Sequence, residues 1–254
     1  MRTVKKIFYF FMTTLSIYVI ALTIPIILNL ISDSNKTTED LERIRTVINH
    51  SADSANKETN ADFKSNEKKI FALKNLNPDT VAYLKVRNTN IDYPVVQTED
   101  NDFYLYNSFQ KKENGNGWTF MDYRNSPADK NIVIYGHSCL DKTMFGTLKK
   151  TLEKKWLSDT SNYFVEFETE NSDTLWEVFS VYTIPVETYY IKINFEDPQE
   201  FKNWIDEMKK RSVHNFNVDL DEKDRVLTLS TCYTSDAKIR LVLQAKQITI
   251  NEQN

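Results

Sequence analysis

After residue 70, apolar and polar positions alternate in short runs that are bounded by turn-forming residues. Alternation with a period of two over four to ten residues is typical of β-strands. The runs cover residues 81–86, 91–96, 117–121, 132–135, 163–167, 175–184, 226–231 and 239–243. The run 132–135 is apolar at every position, which predicts a central strand. Seven or eight short strands with few helices predict a mainly β fold built as a closed or nearly closed barrel.

Two segments between these runs have helical spacing. Residues 144–157 place Phe145, Leu148, Leu152 and Trp156 on one side, which predicts a helix. The second helix is predicted inside the long segment 185–223, with Asp197 as its cap and Pro198 in its first turn. Its apolar positions recur at i, i+3, i+4 and i+7, and they are Phe201, Trp204, Ile205 and Met208. This helix could form a lid over a site, but its apolar stripe favours packing on the barrel.

The amino-terminal region has the pattern of a membrane anchor. No charged residue occurs from Ile7 to Ile31, and Arg2, Lys5 and Lys6 precede this stretch. Twenty-five uncharged residues are enough for a transmembrane helix, even with Pro25 near the outer end. Positive residues stay on the cytoplasmic side, so residues 1–6 are expected inside and the rest of the chain outside. A cleaved signal peptide is the alternative, but the stretch is long for one and no Ala-x-Ala-like site follows it.

Residues 32–69 are polar and form the predicted extracellular stalk. Within them Leu41, Ile44, Val47 and Ile48 recur at helical spacing, so a short amphipathic helix is one interpretation and a flexible spacer is the other. Residues 70–254 contain no internal repeat and are expected to form one folded domain.

Composition excludes several classes of function. The first 31 residues carry a charge of +3 out of a total of −4, so the remainder is acidic and no nucleic-acid partner is expected. Four glycines form neither a phosphate loop nor a dinucleotide fingerprint. Two cysteines and three scattered histidines give no metal-ligand spacing, so neither a metal nor another cofactor is expected. Two cysteines are also too few for a disulfide framework, and a free thiol outside the cell suggests a chemical role.

The last two predicted strands bring Cys232 and Arg240 together. If the leucines of both strands point into one core, Cys232 and Arg240 lie on the opposite face, roughly 5 Å apart at the Cβ atoms when the two strands pair. A cation fixed beside a thiol favours the thiolate, which is the nucleophilic form. The alternative for Cys232 is a small buried apolar residue.

His137 is the candidate acid and base for this thiol. It follows a buried strand and Gly136, and a thiol nucleophile needs a group that exchanges protons in the neutral range. Cys139 lies two residues from the same histidine but lacks the strand–loop–strand frame of Cys232. Cys139 is therefore interpreted as a structural or bystander thiol, although a Cys139–Cys232 bond is conceivable.

An ordered set of motifs resembles the sortases, and Ser230 in the motif resembles class B. The motifs are Thr228-Leu229-Ser230-Thr231-Cys232 with Arg240 after it, Tyr135-Gly136-His137, Asn77-Pro78-Asp79, residues 90–97 and residues 120–125. The resemblance spans about residues 70–248. It implies an eight-stranded sortase barrel with peripheral helices and a membrane-bound cysteine transpeptidase on a Gram-positive-type cell surface. Such enzymes cleave a carboxy-terminal sorting motif after its Thr and transfer the protein to an amine of a peptidoglycan precursor.

By position in those motifs, the resemblance implies Cys232 as nucleophile, His137 as acid and base, and Arg240 as the cation that stabilises the oxyanion. The backbone N–H of Tyr233 is expected to assist Arg240. The peptide-binding positions implied by the resemblance are Asn101, Leu105, Tyr190, Ile191, Ser230 and Tyr233. Two alternatives stay open: a sortase that polymerises pilins, and a non-catalytic membrane-tethered domain that binds cell-wall peptides.

Overall fold

The computed structural model describes residues 2–55, 62–233 and 238–248. Its centre is a closed barrel of eight strands. These are β1 (Thr80–Val86), β2 (Asp92–Val96), β3 (Phe120–Met121), β4 (Asn131–Tyr135), β5 (Phe164–Thr169), β6 (Asp173–Pro185), β7 (Val226–Cys232) and β8 (Ile239–Ile248). Around the barrel the strands follow the order β1-β2-β3-β4-β7-β8-β6-β5. The predicted mainly β, eight-stranded barrel is confirmed, because each of the eight apolar runs contributes one strand.

The strands β4, β7 and β8 are neighbours on one side of the barrel. β4 runs parallel to β7 with Tyr135 opposite Ser230, and β7 runs antiparallel to β8 with Cys232 opposite Arg240. All residues of β7 before Cys232 are buried, as are the first four residues of β4. A parallel pair needs cover on both faces, which explains why these two segments are apolar or hydrogen-bonded throughout. The carboxyl ends of β4 and β7 therefore meet at one end of the barrel.

Large aromatic side chains fill much of the core, and their polar atoms are satisfied. Trp118, Trp176 and Trp204 are fully buried. The indole N–H of Trp118 donates to the Pro94 carbonyl at 2.9 Å, and that of Trp204 donates to the Tyr189 carbonyl at the same distance. Burying a side chain of this size stabilises the fold by about 2–3 kcal/mol when its polar atom keeps a partner.

The amino-terminal half of the stalk is helical and packs against the barrel domain. Helix α1 spans Arg2–Ala55 and helix α2 spans Asp62–Leu76. Ile44 of α1 is buried in the main core, and Leu41 and Ile48 pack against it. Residues 32–55 therefore follow the amphipathic-helix interpretation rather than the flexible spacer. The apolar part of α1 is long enough to cross a membrane, and none of its most hydrophobic window is buried.

The helix predicted after Asp197 is confirmed as α4 (Pro198–Arg211). The Asp197 side chain accepts a hydrogen bond from the Glu200 N–H at 2.7 Å, which satisfies one of the unpaired donors at the helix start. All four residues of the predicted apolar stripe are buried. The stripe thus packs on the barrel and does not face an open site.

The predicted helix at 144–157 is wrong. Residues 148–152 form a 3₁₀ turn, Glu153 is extended, and only Lys154–Leu157 are α-helical, as α3. Met144 has a positive φ of 46°, and a Cβ at Gly146 would overlap the Cys139 carbonyl oxygen. A left-handed residue and a close backbone approach break a helix, so the burial of Phe145 and Leu148 reflects an irregular, well-packed turn.

Candidate active site

The β7–β8 hairpin holds a thiol and a guanidinium in direct contact. Cys232 and Arg240 are opposed across the two strands, and Arg240 Nη1 donates a hydrogen bond to Cys232 Sγ at 3.2 Å. Opposed residues in an antiparallel pair have neighbouring side chains, so the register alone makes this contact. The predicted pairing of the two residues is confirmed by the strand register.

Parallel pairing of β4 and β7 brings His137 to the same end of the barrel. Tyr135 lies opposite Ser230, and the Thr231 hydroxyl donates to the Gly136 carbonyl at 2.6 Å. His137 and Cys232 are the next residues of these two segments, so they follow side by side. Both side chains line one open cleft of about 680 Å³. The structure thus brings together the three residues expected to carry the chemistry.

A backbone carbonyl on the β2–β3 connection orients His137. The imidazole Nε2–H donates to the Leu105 carbonyl at 2.9 Å, because a carbonyl oxygen only accepts, and Nδ1 is the nitrogen that remains to exchange a proton. Gly117, with a φ of 58°, lies against the same ring: a Cβ there would be 3.0 Å from His137 Cδ2 and 2.8 Å from the Leu105 oxygen. Sequence reasoning missed this role of Gly117. The clustered Asn-Gly-Asn-Gly turn at residues 114–117 was its one visible signal.

Cys139 is close to the site but differs from Cys232. Both cysteines are free thiols. Burial, joined by the negative charge of Asp141, raises the pKa of Cys139 to about 12, although a hydrogen bond with Thr143 opposes that rise. Its sulfur donates to the Asn116 carbonyl at 3.7 Å. These contacts agree with a structural thiol and give Cys139 no cationic partner comparable to Arg240 within the described residues.

A buried carboxylate braces the strand that precedes His137. Asp122 accepts hydrogen bonds from Arg124 Nε and Nη2 at 2.9 and 2.8 Å and from the Tyr135 hydroxyl at 2.8 Å. Burial by itself raises the pKa of Asp122, but these hydrogen bonds and the Arg124 charge outweigh it and hold the pKa below its ordinary value. Residues 120–125 are one of the motifs of the family resemblance, but the sequence by itself predicts no role for Asp122.

The six expected peptide-binding positions fall in different surroundings. The Tyr190 hydroxyl and the Ser230 hydroxyl share a hydrogen bond of 2.9 Å in the buried region beside β7, and burial raises the pKa of Tyr190. Ile191 is partly buried against the core next to them. Asn101 accepts a hydrogen bond from the Tyr123 N–H at 2.9 Å, and Leu105 holds His137. Tyr190, Ile191 and Ser230 are thus grouped, whereas Asn101 and Leu105 belong to the β2–β3 connection.

The expected role of the Tyr233 backbone needs correction. Its N–H donates to the Ile239 carbonyl at 2.8 Å and continues the β7–β8 ladder, so it does not point into the cleft as an oxyanion donor. Strand pairing at the hairpin end takes this donor, since unpaired backbone groups are costly. The side chain of Tyr233 nevertheless lines the cleft beside Cys232.

Known proteins share this architecture and are 28–38% identical to this chain in the aligned regions. The profile of the Sortase domain matches residues 84–248. Sortase B of Listeria monocytogenes is 38% identical over 181 residues, which cover 70% of this chain and 73% of that protein. The Staphylococcus aureus sortase B–substrate complex superposes with a TM-score of 0.76 at 28% identity, covering 87% of this chain and all of that one. A mutant form of Clostridium perfringens sortase B superposes with a TM-score of 0.74 at 33% identity, covering 84% of this chain and 98% of that one. The barrel, the profile match over most of the chain and the cysteine–arginine pair all agree with these relatives. The chain therefore belongs to the sortase family, as a class B cysteine transpeptidase.

Proposed function

We propose that Cys232 is the nucleophile of this transpeptidase, His137 its general acid and base, and Arg240 the group that stabilises the oxyanion. The observation that carries this assignment is the 3.2 Å hydrogen bond from Arg240 to Cys232 Sγ in the cleft that His137 also lines. A guanidinium at this distance from the attacking sulfur is also near the carbonyl oxygen of a peptide bound for attack.

The reaction proceeds in two acyl transfers. Cys232 gives its proton to His137, its sulfur bonds to the carbonyl carbon, and the carbonyl electron pair moves to the oxygen, where Arg240 stabilises the charge. Collapse of this intermediate breaks the C–N bond as His137 protonates the leaving amine, and a thioester remains. An incoming amine then attacks the thioester, His137 accepts its proton, and the sulfur leaves.

The substrates we propose are a carboxy-terminal sorting motif cleaved after its Thr and an amine of a peptidoglycan precursor. Two relatives support these classes: one solved structure is described as a Staphylococcus aureus sortase B–substrate complex and another as sortase B complexed with triglycine. Tyr190, Ile191 and Ser230 are proposed to contact the peptide because of their positions in the sortase motifs and their grouping beside β7, the strand that carries Cys232.

The proposed location is the outer face of the cell membrane. The apolar part of α1, residues 7–31, would cross the bilayer, and the basic residues before it would keep the amino terminus in the cytoplasm. Residues 32–69 would then link the anchor to a catalytic domain at 70–254. The composition and hydropathy of the chain support this arrangement.

Replacing the sulfur tests the assignment of Cys232. Cys232→Ala is expected to abolish both cleavage of a sorting peptide and transfer to triglycine, while Cys139→Ala retains most of the activity. Products are measured by liquid chromatography and mass spectrometry, which also detect the thioester on Cys232 in the wild-type chain. Turnover by Cys232→Ala at the wild-type rate would contradict the proposal.

Replacing the planar guanidinium of Arg240 is the second test. Arg240→Lys keeps the charge but loses the fixed geometry of the guanidinium, so kcat is expected to fall about 100-fold, as when an oxyanion donor is removed. Arg225→Lys is the matched control, because Arg225 lies just before β7 at the opposite end of the strand and bonds to the Asp129 carbonyl and Gln247. Equal kcat values for the two variants would remove Arg240 from the oxyanion role.

A further inference from the structure

The first polar turns of α1 after its apolar stretch bind the β2–β3 connection. Asp33 Oδ2 accepts a hydrogen bond from the Gly115 N–H at 3.0 Å, and the Asp33 carbonyl accepts one from Asn114 Nδ2 at 3.2 Å. Thr37 Oγ1 accepts a second hydrogen bond from Asn114 Nδ2 at 3.0 Å, and both side chains are buried. These contacts join residues that are about 80 positions apart in the sequence, so they fix a tertiary arrangement and not a local turn.

The bound connection leads directly to the catalytic histidine. The Asn114 N–H donates to the Tyr106 carbonyl at 2.9 Å, and the Trp118 N–H donates to the Tyr104 carbonyl at 2.8 Å. Leu105 lies between these two bonded residues, and its carbonyl accepts the Nε2–H of His137. Displacement of Asn114 therefore moves the acceptor that orients the imidazole.

A second set of contacts links the same helix to the segment after His137. Asn116 Nδ2 donates to Asp141 Oδ2 at 2.9 Å and lies 3.4 Å from Thr37 Oγ1. Burial opposes ionisation of Asp141, but hydrogen bonds from Thr143, Ser34 and Asn116 keep its pKa below the ordinary value. Asn116 thus bridges Thr37 on α1 and Asp141, so the helix reaches the segment after His137 through the β2–β3 connection.

The helix also forms part of the catalytic cleft itself. Leu30, Ile31 and Ser34 line the cleft together with His137 and Cys232. Leu30 and Ile31 belong to the last apolar turns of the proposed anchor. The boundary between the anchor and the stalk is therefore beside the reacting groups.

We propose that residues 33–37 of α1 are a positioning element of the active site, in which Asp33 and Thr37 hold the β2–β3 connection so that Leu105 orients His137. The inference deepens the proposed function, because it rests on His137 as the acid and base. It gives the segment next to the anchor a role in catalysis in addition to attachment. Asp33 and Thr37 act through Leu105 and His137 and do not themselves contact the reacting atoms.

Adjacent threonines provide a matched pair of variants. Thr37→Val removes the hydroxyl that accepts from Asn114, and it also removes a hydrogen bond to the Asp33 carbonyl within the helix. Thr38→Val makes the same chemical change one residue later, where the exposed hydroxyl bonds to the Ser34 carbonyl within the helix. The two variants lose equivalent helical contacts, so any difference between them reports on the β2–β3 connection. Thr37→Ser, which keeps the hydroxyl, serves as the rescue.

The measurements use the full chain in detergent micelles, with a fluorogenic form of the Staphylococcus aureus sortase B sorting peptide and triglycine as the acceptor. Thr37→Val is expected to lower kcat about tenfold with KM within twofold of wild type, because a misplaced acid and base slows chemistry more than binding. Thr37→Ser should recover most of this loss, and Thr38→Val should match wild type. Rates are normalised to the fraction of Cys232 that iodoacetamide modifies in the folded protein.

Hydrogen–deuterium exchange of peptides from residues 101–118 gives a readout that needs no substrate. Thr37→Val is expected to increase exchange in this connection, whereas Thr38→Val leaves it unchanged. Equal exchange in the two variants, or increased exchange with an unchanged kcat, would overturn the inference. Failure of the wild-type chain to cleave the peptide would instead count against the proposed substrate, and the exchange comparison would still decide whether α1 holds the connection.

Discussion

The two cysteines sit in different chemical surroundings although both are near His137. Both are partly exposed, but Cys232 accepts a hydrogen bond from Arg240, whereas the Cys139 sulfur donates to the Asn116 carbonyl. The pKa of Cys139 is raised to about 12 by burial. At pH 8 this keeps Cys139 in the thiol form, whereas electrophiles react with the thiolate.

Iodoacetamide is therefore expected to modify Cys232 at least ten times faster than Cys139 at pH 8. Peptide mass spectrometry after short exposure measures the two rates in one sample, and Arg240→Lys tests whether the guanidinium contributes to the faster rate. After unfolding in urea the two thiols should react at similar rates, since each then has the ordinary properties of a solvated cysteine. Faster modification of Cys139 in the folded chain would contradict its assignment as a structural thiol.

At the same scale, side chains were easier to predict than backbone groups. Cys232 and Arg240 could be paired from the sequence because strand alternation and a short connection fix which residues are opposed. The Leu105 carbonyl that orients His137 could not be identified, because every residue has a carbonyl and only the folded β2–β3 connection selects one. Tyr233 shows the converse: the resemblance implies that its N–H assists the oxyanion, but this N–H pairs with the Ile239 carbonyl.

Helix α4 connects the packing of the barrel to the residues proposed to bind the peptide. Its Trp204 donates to the Tyr189 carbonyl, and the next residue, Tyr190, shares a hydrogen bond with Ser230 on β7. The cap and the apolar stripe of α4 were predictable because both are local patterns. The prediction of a helix at 144–157 was wrong because the same apolar spacing also suits an irregular turn. The positive φ of Met144 interrupts the helix, and a methionine gives no sign of this conformation in the sequence.

Removing the cap of α4 tests its contribution to stability. Asp197→Ala is expected to lower the free energy of unfolding by about 1 kcal/mol, because the Glu200 N–H loses its acceptor. Asp197→Asn is the control and should cost less than half as much, since its amide oxygen can accept the same hydrogen bond. Urea denaturation followed by circular dichroism measures both values. A loss in Asp197→Asn equal to that in Asp197→Ala would show that the carboxylate charge matters more than the cap.

At the scale of the whole molecule, the part of α1 that follows its apolar stretch packs against the barrel. Thr37 is buried and bonds to Asn114, 77 positions away, and Ile44 is buried in the main core. The spacing of Leu41, Ile44, Val47 and Ile48 makes a helix one of two interpretations here. It does not indicate the surface on which the helix packs, because the contacts around Asp33 and Thr37 are polar and have no period. The boundary placed at residue 70 stays a prediction about domains, and α1 extends the packed structure to its amino-terminal side.

Asp40 is the buried residue through which this docking is expected to depend on pH. Its side chain is almost fully buried, and its Oδ2 has no hydrogen-bond partner among the described residues. Burial raises the pKa of Asp40 above the ordinary 3.8, while hydrogen bonds with Ser108 and Gln110 and the charges of Lys112 and Arg43 partly oppose that rise. The folded state thus binds the Asp40 proton more tightly than the unfolded state, so this residue favours folding at pH values below 3.8 and loses that contribution as the pH rises through the raised pKa.

Asp40→Asn removes the ionisation and is expected to gain stability relative to wild type as the pH increases from 3.5 to 7. The difference in free energy of unfolding between the two proteins should be smallest near pH 3.5, where Asp40 is mostly protonated in both states. Urea denaturation of a fragment that begins at residue 32 measures the difference at each pH, and solved relatives that match 84–87% of this chain support such a fragment. Glu39→Gln, on the exposed side of the same helix turn, is the control and should show no such trend. If the difference in free energy of unfolding between Asp40→Asn and wild type is constant with pH, Asp40 ionises in the folded protein as it does in the unfolded chain. In that case α1 docks without a buried carboxylate that responds to pH.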